Sequence, residues 1–181
     1  MISSPSGGGK STIIKSLLKH NNNLEYSVSM TTRQPREGEL HGQAYWFTSK
    51  PEFESKIKEN AFLEWAEVHG SYYGTLRETI DAELEAGRSV ILDIDVQGGL
   101  AVKKKMPEAV MIFILPPSMA VLEQRLRDRN TESEDTLHIR LKNAVDEMAV
   151  ADQYNYRVVN DRLETAIRDV QEIIDASNQM P

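Results

Sequence analysis

Apolar positions along this chain switch repeatedly between helical and strand spacing. Ile13, Ile14, Leu17 and Leu18 share one face of a helix predicted over 10–20. Asn21-Asn22-Asn23 ends it. Leu24, Tyr26, Val28 and Met30 then alternate with Glu25, Ser27 and Ser29, which predicts a strand over 24–30 with Ser29 on its polar face. Residues 31–39 have no period and read as a loop, and a short strand follows over 44–48. Ser49 and Glu52 have capping-box spacing for a helix to about residue 60. Residues 62–68 predict a further strand, closed by Gly70 and followed by Tyr72-Tyr73-Gly74.

The second half repeats the alternation. Thr75 and Glu78 have capping-box spacing ahead of a helix striped by Leu76, Ile80 and Leu84 and ended by Gly87. Residues 90–95 are nearly all apolar, with Asp93 and Asp95 at the C-terminal end, and 109–115 are wholly apolar. Such runs predict parallel strands buried on both faces. A short helix lies between them, ending before Pro107. Val121, Leu122 and Leu126 mark the next helix, 130–135 break it, and Leu137, Leu141, Val145 and Met148 stripe a long one. Residues 157–159 give a last short strand. Asp161 and Glu164 cap a final helix striped by Leu163, Ile167, Val170 and Ile174. Strands alternating with helices predict an α/β fold with a parallel sheet, whose ligands bind at the C-terminal strand ends. Residues 31–75, set between two core elements, read as an inserted lobe.

Composition narrows the function. At 181 residues the chain makes one domain, with or without that lobe, and 40% hydrophobic with 27% charged residues is ordinary for a soluble globular protein. A net charge of −7 argues against general nucleic-acid binding. With no cysteine there is no thiol nucleophile, disulfide or cysteine metal site, which fits a reducing compartment; a cytoplasmic location is expected. The apolar run 109–115 is too short to cross a membrane.

The sharpest chemistry lies at Ser6-Gly7-Gly8-Gly9-Lys10-Ser11-Thr12, which opens directly into the first helix. Glycines let successive backbone N–H groups turn inward around phosphate oxygens, and the helix N-terminus adds its positive end. Lys10 would reach the β- and γ-phosphates of a nucleotide and Ser11 would ligate Mg²⁺. The usual pattern has glycine where this chain has Ser4; that entry position tolerates a side chain if its φ is negative. A plain glycine-rich turn would not explain why Lys10 and Ser11 follow the last glycine directly. The strand ahead of the loop is either very short or continues into residues before Met1.

Other constellations are weaker alone. Arg33 and Arg36 flank Pro35, and guanidinium forks bind phosphate bidentately, though surface loops also carry arginines. Ser29, Tyr45 and Tyr73 could add hydroxyls to the same phosphate. Glu64 shares its predicted strand face with Phe62, Ala66 and Val68. A carboxylate there suits the N1–H and 2-amino donors of guanine and repels the N1 acceptor of adenine; alternatively, it is an edge-strand acid in water. Asp93 and Asp95 resemble the acid that ends an apolar strand and holds Mg²⁺ or its water. Arg125, Arg129 and Arg140 bracket the polar stretch 130–135 and could close over a triphosphate, with a helix-surface role the better assignment for Arg125. The four histidines fall in no catalytic or metal pattern.

Taken together these motifs resemble the guanylate kinase family over nearly the whole chain. The resemblance rests on Ser6-Gly7-x-Gly9-Lys10-Ser11-Thr12, Ser29-x-Thr31-Thr32-Arg33-x-Pro35-Arg36-x-Gly38-Glu39, Tyr45-x-Phe47, Phe62-x-Glu64-Trp65-Ala66, Tyr73-Gly74-Thr75, Ile91-Leu92-Asp93-Ile94-Asp95-x-Gln97-Gly98 and Arg129-x-Thr131-Glu132-Ser133-Glu134, in family order. It implies a P-loop NTPase three-layer fold with a core (1–30, 76–125, 152–181), a GMP-binding lobe (31–75) and a helical lid (126–151). It implies Mg²⁺-assisted transfer of phosphate from ATP to GMP, and to dGMP, as part of purine metabolism, by a monomer or homodimer. By motif, Ser29, Arg33, Arg36, Tyr45 and Tyr73 hold the GMP phosphate, and Glu64, Thr75 and Asp95 hold guanine. Arg129 and Arg140 act with Lys10 and Arg33 on the transferring group, Asn160 lies near adenine, and Ser11 and Asp93 serve Mg²⁺. Asn130 replaces the usual lid glycine. Two other readings stay open: a catalytically inactive protein-binding module of the same fold, and a P-loop kinase of another phosphorylated small molecule.

Overall fold

The apolar runs form the middle of a parallel sheet in the computed structural model, which describes residues 1–68, 70–128 and 134–178. In chain order the elements are β1 (Ile2–Ser3), α1 (Lys10–His20), β2 (Leu24–Tyr26), β3 (Met30–Thr31), β4 (Trp46–Phe47), α2 (Lys50–Lys58), β5 (Phe62–Val68), β6 (Ser71–Leu76), α3 (Arg77–Glu85), β7 (Ser89–Ile91), α4 (Val96–Lys105), β8 (Ile112–Leu115), α5 (Met119–Arg127), α6 (Glu134–Ala149), β9 (Tyr156–Val159) and α7 (Leu163–Ser177). β1 pairs in parallel with β8, and β8 with β9. On its other side β1 meets the β2–β7 pair through a parallel bridge between Ile2 and Asp93. The order across the sheet is therefore β2-β7-β1-β8-β9.

Strand period sorts the side chains into two cores. Met1, Leu92, Met111 and Phe113 pack with Ile80 of α3 and Val102 of α4. Ile2, Ile91, Ile112 and Ile114 pack with Ile13 and Leu17 of α1 and Val170 of α7. Helices on both faces of a parallel sheet make three layers, which is why its strands read as continuous apolar runs.

A second, mixed sheet runs β4-β3-β6-β5 and has its own core of Met30, Phe53 and Phe62, with the two phenylalanine rings stacked at 4.4 Å. Its helix α2 starts at the expected capping box. The Ser49 hydroxyl accepts from Glu52 N–H, and Glu52 accepts from Ser49 N–H at 3.0 Å, which lowers its pKa to about 2. Helices α5 and α6 pack on each other through Leu122, Leu126, Leu137 and Ala144.

Four local expectations change. The strand over 24–30 splits, because Leu24 belongs to the parallel sheet and Met30 to the second sheet. Thr75 lies inside β6, so its hydroxyl is spent across the ladder, and Leu76 precedes α3 with no side-chain cap. Arg162, not Asp161, precedes α7, again without a side-chain cap. On α6, Val145 is exposed and Ala144 is the buried contact.

Candidate nucleotide site

At the C-terminal edge of the parallel sheet, β1 runs into the glycine-rich turn. Gly7 and Gly9 adopt φ of +89° and +95°, the left-handed region in which a β-carbon is strained. Gly9 also has no room for one, since it would stand 2.2 Å from Asn160 Nδ2. Among the described residues Asn60 is the sole non-glycine residue with positive φ, so Ser4 enters the turn without strain. The loop is braced from behind. Gly8 N–H donates to Pro5 C=O at 2.9 Å, and the buried Asn160 amide donates to Gly8 C=O at 2.8 Å. Asn160 thus supports the loop rather than projecting from it. Ser11 and Thr12 are exposed in the first turn of α1, at its positive end.

Lys10 Nζ lies 2.7 Å from Asp93 Oδ1 and donates to Ile94 C=O at 3.1 Å. Asp93 in turn lines a cleft with Ser29, Tyr45, Glu64, Tyr73 and Asp95. The ladder between β5 and β6 sets Glu64 opposite Thr75, whose buried hydroxyl donates to Glu64 Oε1 at 2.6 Å. Burial pushes the Glu64 carboxyl above its ordinary pKa; the Thr75 bond pulls it down and the Asp95 charge pushes it up. Asp95 caps α4, with its Oδ1 accepting from Gly98 N–H at 2.8 Å. Glu64 Oε2 and Asp95 Oδ1 both border the space beside Gly98, where an added β-carbon would stand 3.3 and 3.4 Å from them.

The 31–39 loop is held by a residue given no role above. Glu39 takes both guanidinium nitrogens of Arg33, Nη1 at 3.0 Å and Nη2 at 2.9 Å, and accepts from Arg36 N–H at 2.8 Å. The Arg33 guanidinium lies 5.3 Å from the Tyr45 ring centre. Arg36 is exposed on the loop and does not line the cleft.

From α6, Arg140 donates to the Ser6 hydroxyl at 3.0 Å. Arg129 lies outside the described residues. Arg125 is not a surface residue: its Nη2 donates to Asn160 C=O at 2.9 Å, and its Nη1 is buried without a partner among the described residues. It lines a second cleft with Gly7, Gly9, Thr12 and Asp161. Leu122, Arg125 and Leu126 sit at i, i+3 and i+4, so helical spacing alone puts Arg125 on the buried face.

A parallel sheet with a glycine-rich turn, a lysine and a strand-end acid at its C-terminal edge defines a P-loop kinase fold. The chain matches the guanylate kinase family model over residues 1–177 and belongs to the guanylate kinase family. It is 52% identical to a guanylate kinase of Clostridium tetani over 97% of this chain and 84% of that one. It is 45% identical to one of Carboxydothermus hydrogenoformans over 100% and 89%. The crystal structure of guanylate kinase from Anaplasma phagocytophilum superposes with a TM-score of 0.79, at 34% identity, over 99% of this chain and 85% of that one. A shikimate kinase from Bacteroides thetaiotaomicron, 16% identical, shares the fold with a TM-score of 0.51 over 96% of each chain.

Proposed function

We propose that the protein transfers the γ-phosphoryl group of ATP directly to the phosphate of GMP, and of dGMP, yielding ADP and GDP, within cytoplasmic purine metabolism. One observation carries this reading. Asp93, the partner of Lys10, lines the same cleft as Glu64 and Asp95, so the phosphate loop and a guanine-complementary cleft share a wall.

Residues 6–12 cradle the ATP phosphates, with Asn160 bracing the loop beneath the adenine. In the lobe formed by 31–75, Ser29, Arg33, Arg36, Tyr45 and Tyr73 hold the GMP phosphate. Glu64 accepts the two parallel guanine donors, while Thr75 fixes its carboxylate and, with Asp95, reads the rest of that base edge. The acceptor phosphate has its second pKa near about 6, so it is largely ionised at neutral pH and no general base is required. Catalysis then rests on alignment and neutralisation of charge by Lys10, Arg33, Arg129 and Arg140, the last two from the 126–151 lid.

Among the described residues no group of three or more acidic, histidine or cysteine side chains could hold a metal unaided. Ser11 Oγ and Asp93 are oxygen donors of the kind Mg²⁺ takes and would hold it, Asp93 beside Lys10, with water and substrate phosphates supplying the other ligands. When bound, that ion neutralises charge on the β- and γ-phosphates. A coupled ADP-release assay with GMP, dGMP, AMP, UMP or no acceptor tests the proposal. Turnover with GMP and dGMP alone is expected. Comparable rates with AMP or UMP, or no turnover at all, would overturn it.

A further inference from the structure

Helix α5 grips the back of the glycine-rich loop at two points. A β-carbon at Gly7 would stand 3.0 Å from Leu122 Cδ1 and 3.1 Å from Leu126 Cδ2. Arg125, on the same helix face, donates through Nη2 to Asn160 C=O at 2.9 Å. That is the one hydrogen bond of its guanidinium among the described residues, and Nη1 is buried without a partner there. Asn160 directly follows β9, and its own N–H donates to Leu115 C=O at 2.8 Å. Its backbone is therefore tied at the N–H to the sheet and at the C=O to Arg125. Between those ties the buried side-chain amide donates to Gly8 C=O at 2.8 Å. Gly8 C=O and Gly9 N–H belong to one trans peptide plane and point in opposite directions. Holding the carbonyl from behind aims the Gly9 N–H to the other side of the loop, where a nest of N–H groups takes phosphate.

We propose that Arg125 is a positioning residue for the donor loop and acts through Asn160: it fixes the Asn160 backbone, and the Asn160 amide then sets the Gly8–Gly9 peptide for phosphate. This rests on the donor-site reading of residues 6–12 and adds a residue outside them. Two bonds in series carry the effect, a charge-assisted one from guanidinium to carbonyl and a neutral one from amide to carbonyl. Breaking either frees the Gly8–Gly9 peptide to turn. An incoming phosphate must then order that peptide, and affinity falls by the cost of doing so. Since both bonds serve one peptide, losing the second after the first costs little more.

Calorimetric titration of the full chain with ATP and with inorganic tripolyphosphate tests the brace in a double-mutant cycle. Tripolyphosphate has no base, so it reads the loop alone. Arg125→Met and Asn160→Ala should each weaken tripolyphosphate binding about three- to tenfold, and the double variant no more than about twofold further. Arg125→Met should weaken ATP binding by the same factor and keep GMP affinity within about twofold. Weaker ATP binding with unchanged tripolyphosphate binding in Arg125→Met would put Arg125 on the base and overturn the brace. Losses that multiply in the double variant would put its charge on the phosphates directly, and overturn it too. So would a lowered Tm with wild-type tripolyphosphate affinity, the mark of a merely structural residue. If Arg125→Met does not fold, the same cycle with Arg125→Gln decides by the same criteria, and unchanged tripolyphosphate binding in Asn160→Ala overturns the brace by itself. Lys10→Ala separates the two readings. Loss of tripolyphosphate binding there preserves the donor site even where the brace fails, whereas wild-type binding removes the donor site and the brace with it.

Discussion

The Thr75 hydroxyl donates to Glu64 Oε1 at 2.6 Å, directly across the β5–β6 ladder. The bond fixes a carboxylate that would otherwise be costly in a half-buried cleft, and Oε2 borders the open space beside Gly98. Hydrogen bonds to a charged group are each worth about 1.5–3 kcal/mol. If Glu64 accepts the two guanine donors as proposed, Glu64→Ala removes two such bonds and should raise the GMP KM by ~100-fold or more, leaving the ATP KM within about twofold. Steady-state kinetics with each nucleotide varied in turn checks this. Equal losses for both nucleotides would signal misfolding instead.

The raised pKa of Glu64 gives binding a pH dependence. Two guanine donors need the ionised carboxylate, so the GMP KM should rise as pH falls into a window above the ordinary range for glutamate. The stability effect has the opposite sense. A carboxyl whose folded pKa is raised favours the native state at low pH, and that contribution is lost as pH rises through the folded value. The GMP phosphate also titrates, near about 6. Profiles of KM against pH for wild type and Glu64→Gln separate the two: only the wild type should show the Glu64 component.

Gly98 should be as selective a lesion as Glu64. An added methyl would stand 3.3 Å from Glu64 Oε2 and 3.4 Å from Asp95 Oδ1, in the space the guanine edge would need under the proposed function. Gly98→Ala is expected to raise the GMP KM at least tenfold without changing ATP affinity, read by the same kinetics. An unchanged GMP KM would mean that the base does not enter there.

Most of the parallel core was legible because its strands are buried on both faces: residues 109–115 and 90–95 could hardly be anything else. Legibility fails where one pattern serves two structures. Leu24 and Met30 keep strand period across a break, since each is buried in a different core. At Leu63 an irregularity in the β5–β6 register turns Phe62 into the second-sheet core and Leu63 into the main one, leaving Glu64, Ala66 and Val68 on the cleft. A strict alternation therefore puts Phe62 on the wrong face. The candidate site was legible wherever chemistry is local, as at Lys10 and Ser11. Glu39 was missed because its importance lies in what it holds, Arg33, and Arg125 was set on the helix surface although its spacing with Leu122 and Leu126 puts it on the buried face, where it holds the Asn160 carbonyl.

The second-sheet core should be separable from the rest by mutation. Phe53 is fully buried, stacked on Phe62 at 4.4 Å and on Tyr72 at 5.3 Å. Truncating a buried phenylalanine costs about 3–5 kcal/mol. None of the Phe53 contacts reaches the phosphate loop, so Phe53→Ala should lower Tm and raise the GMP KM while the ATP KM stays near wild type. Thermal unfolding followed by two-substrate kinetics checks both halves. An ATP KM that rises as much as the GMP KM would show that the two cores fold as one.

Arg140 offers the cleanest separation of chemistry from binding. Its guanidinium donates to the Ser6 hydroxyl at 3.0 Å, and it lies on a different element from the Glu64 cleft. If it acts on the transferring phosphoryl group, its worth appears in the transition state, where an arginine can contribute about 10³–10⁵ in rate. Arg140→Ala should then lower kcat by about that factor, with the GMP KM changed by less than about threefold. Arg140→Lys keeps the charge but not the planar fork, and should recover only part of the loss. Single-turnover rates at saturating nucleotide measure this without interference from product release. Full activity in Arg140→Ala would leave Arg140 as a structural tie to Ser6 and place the transition-state charge on other groups.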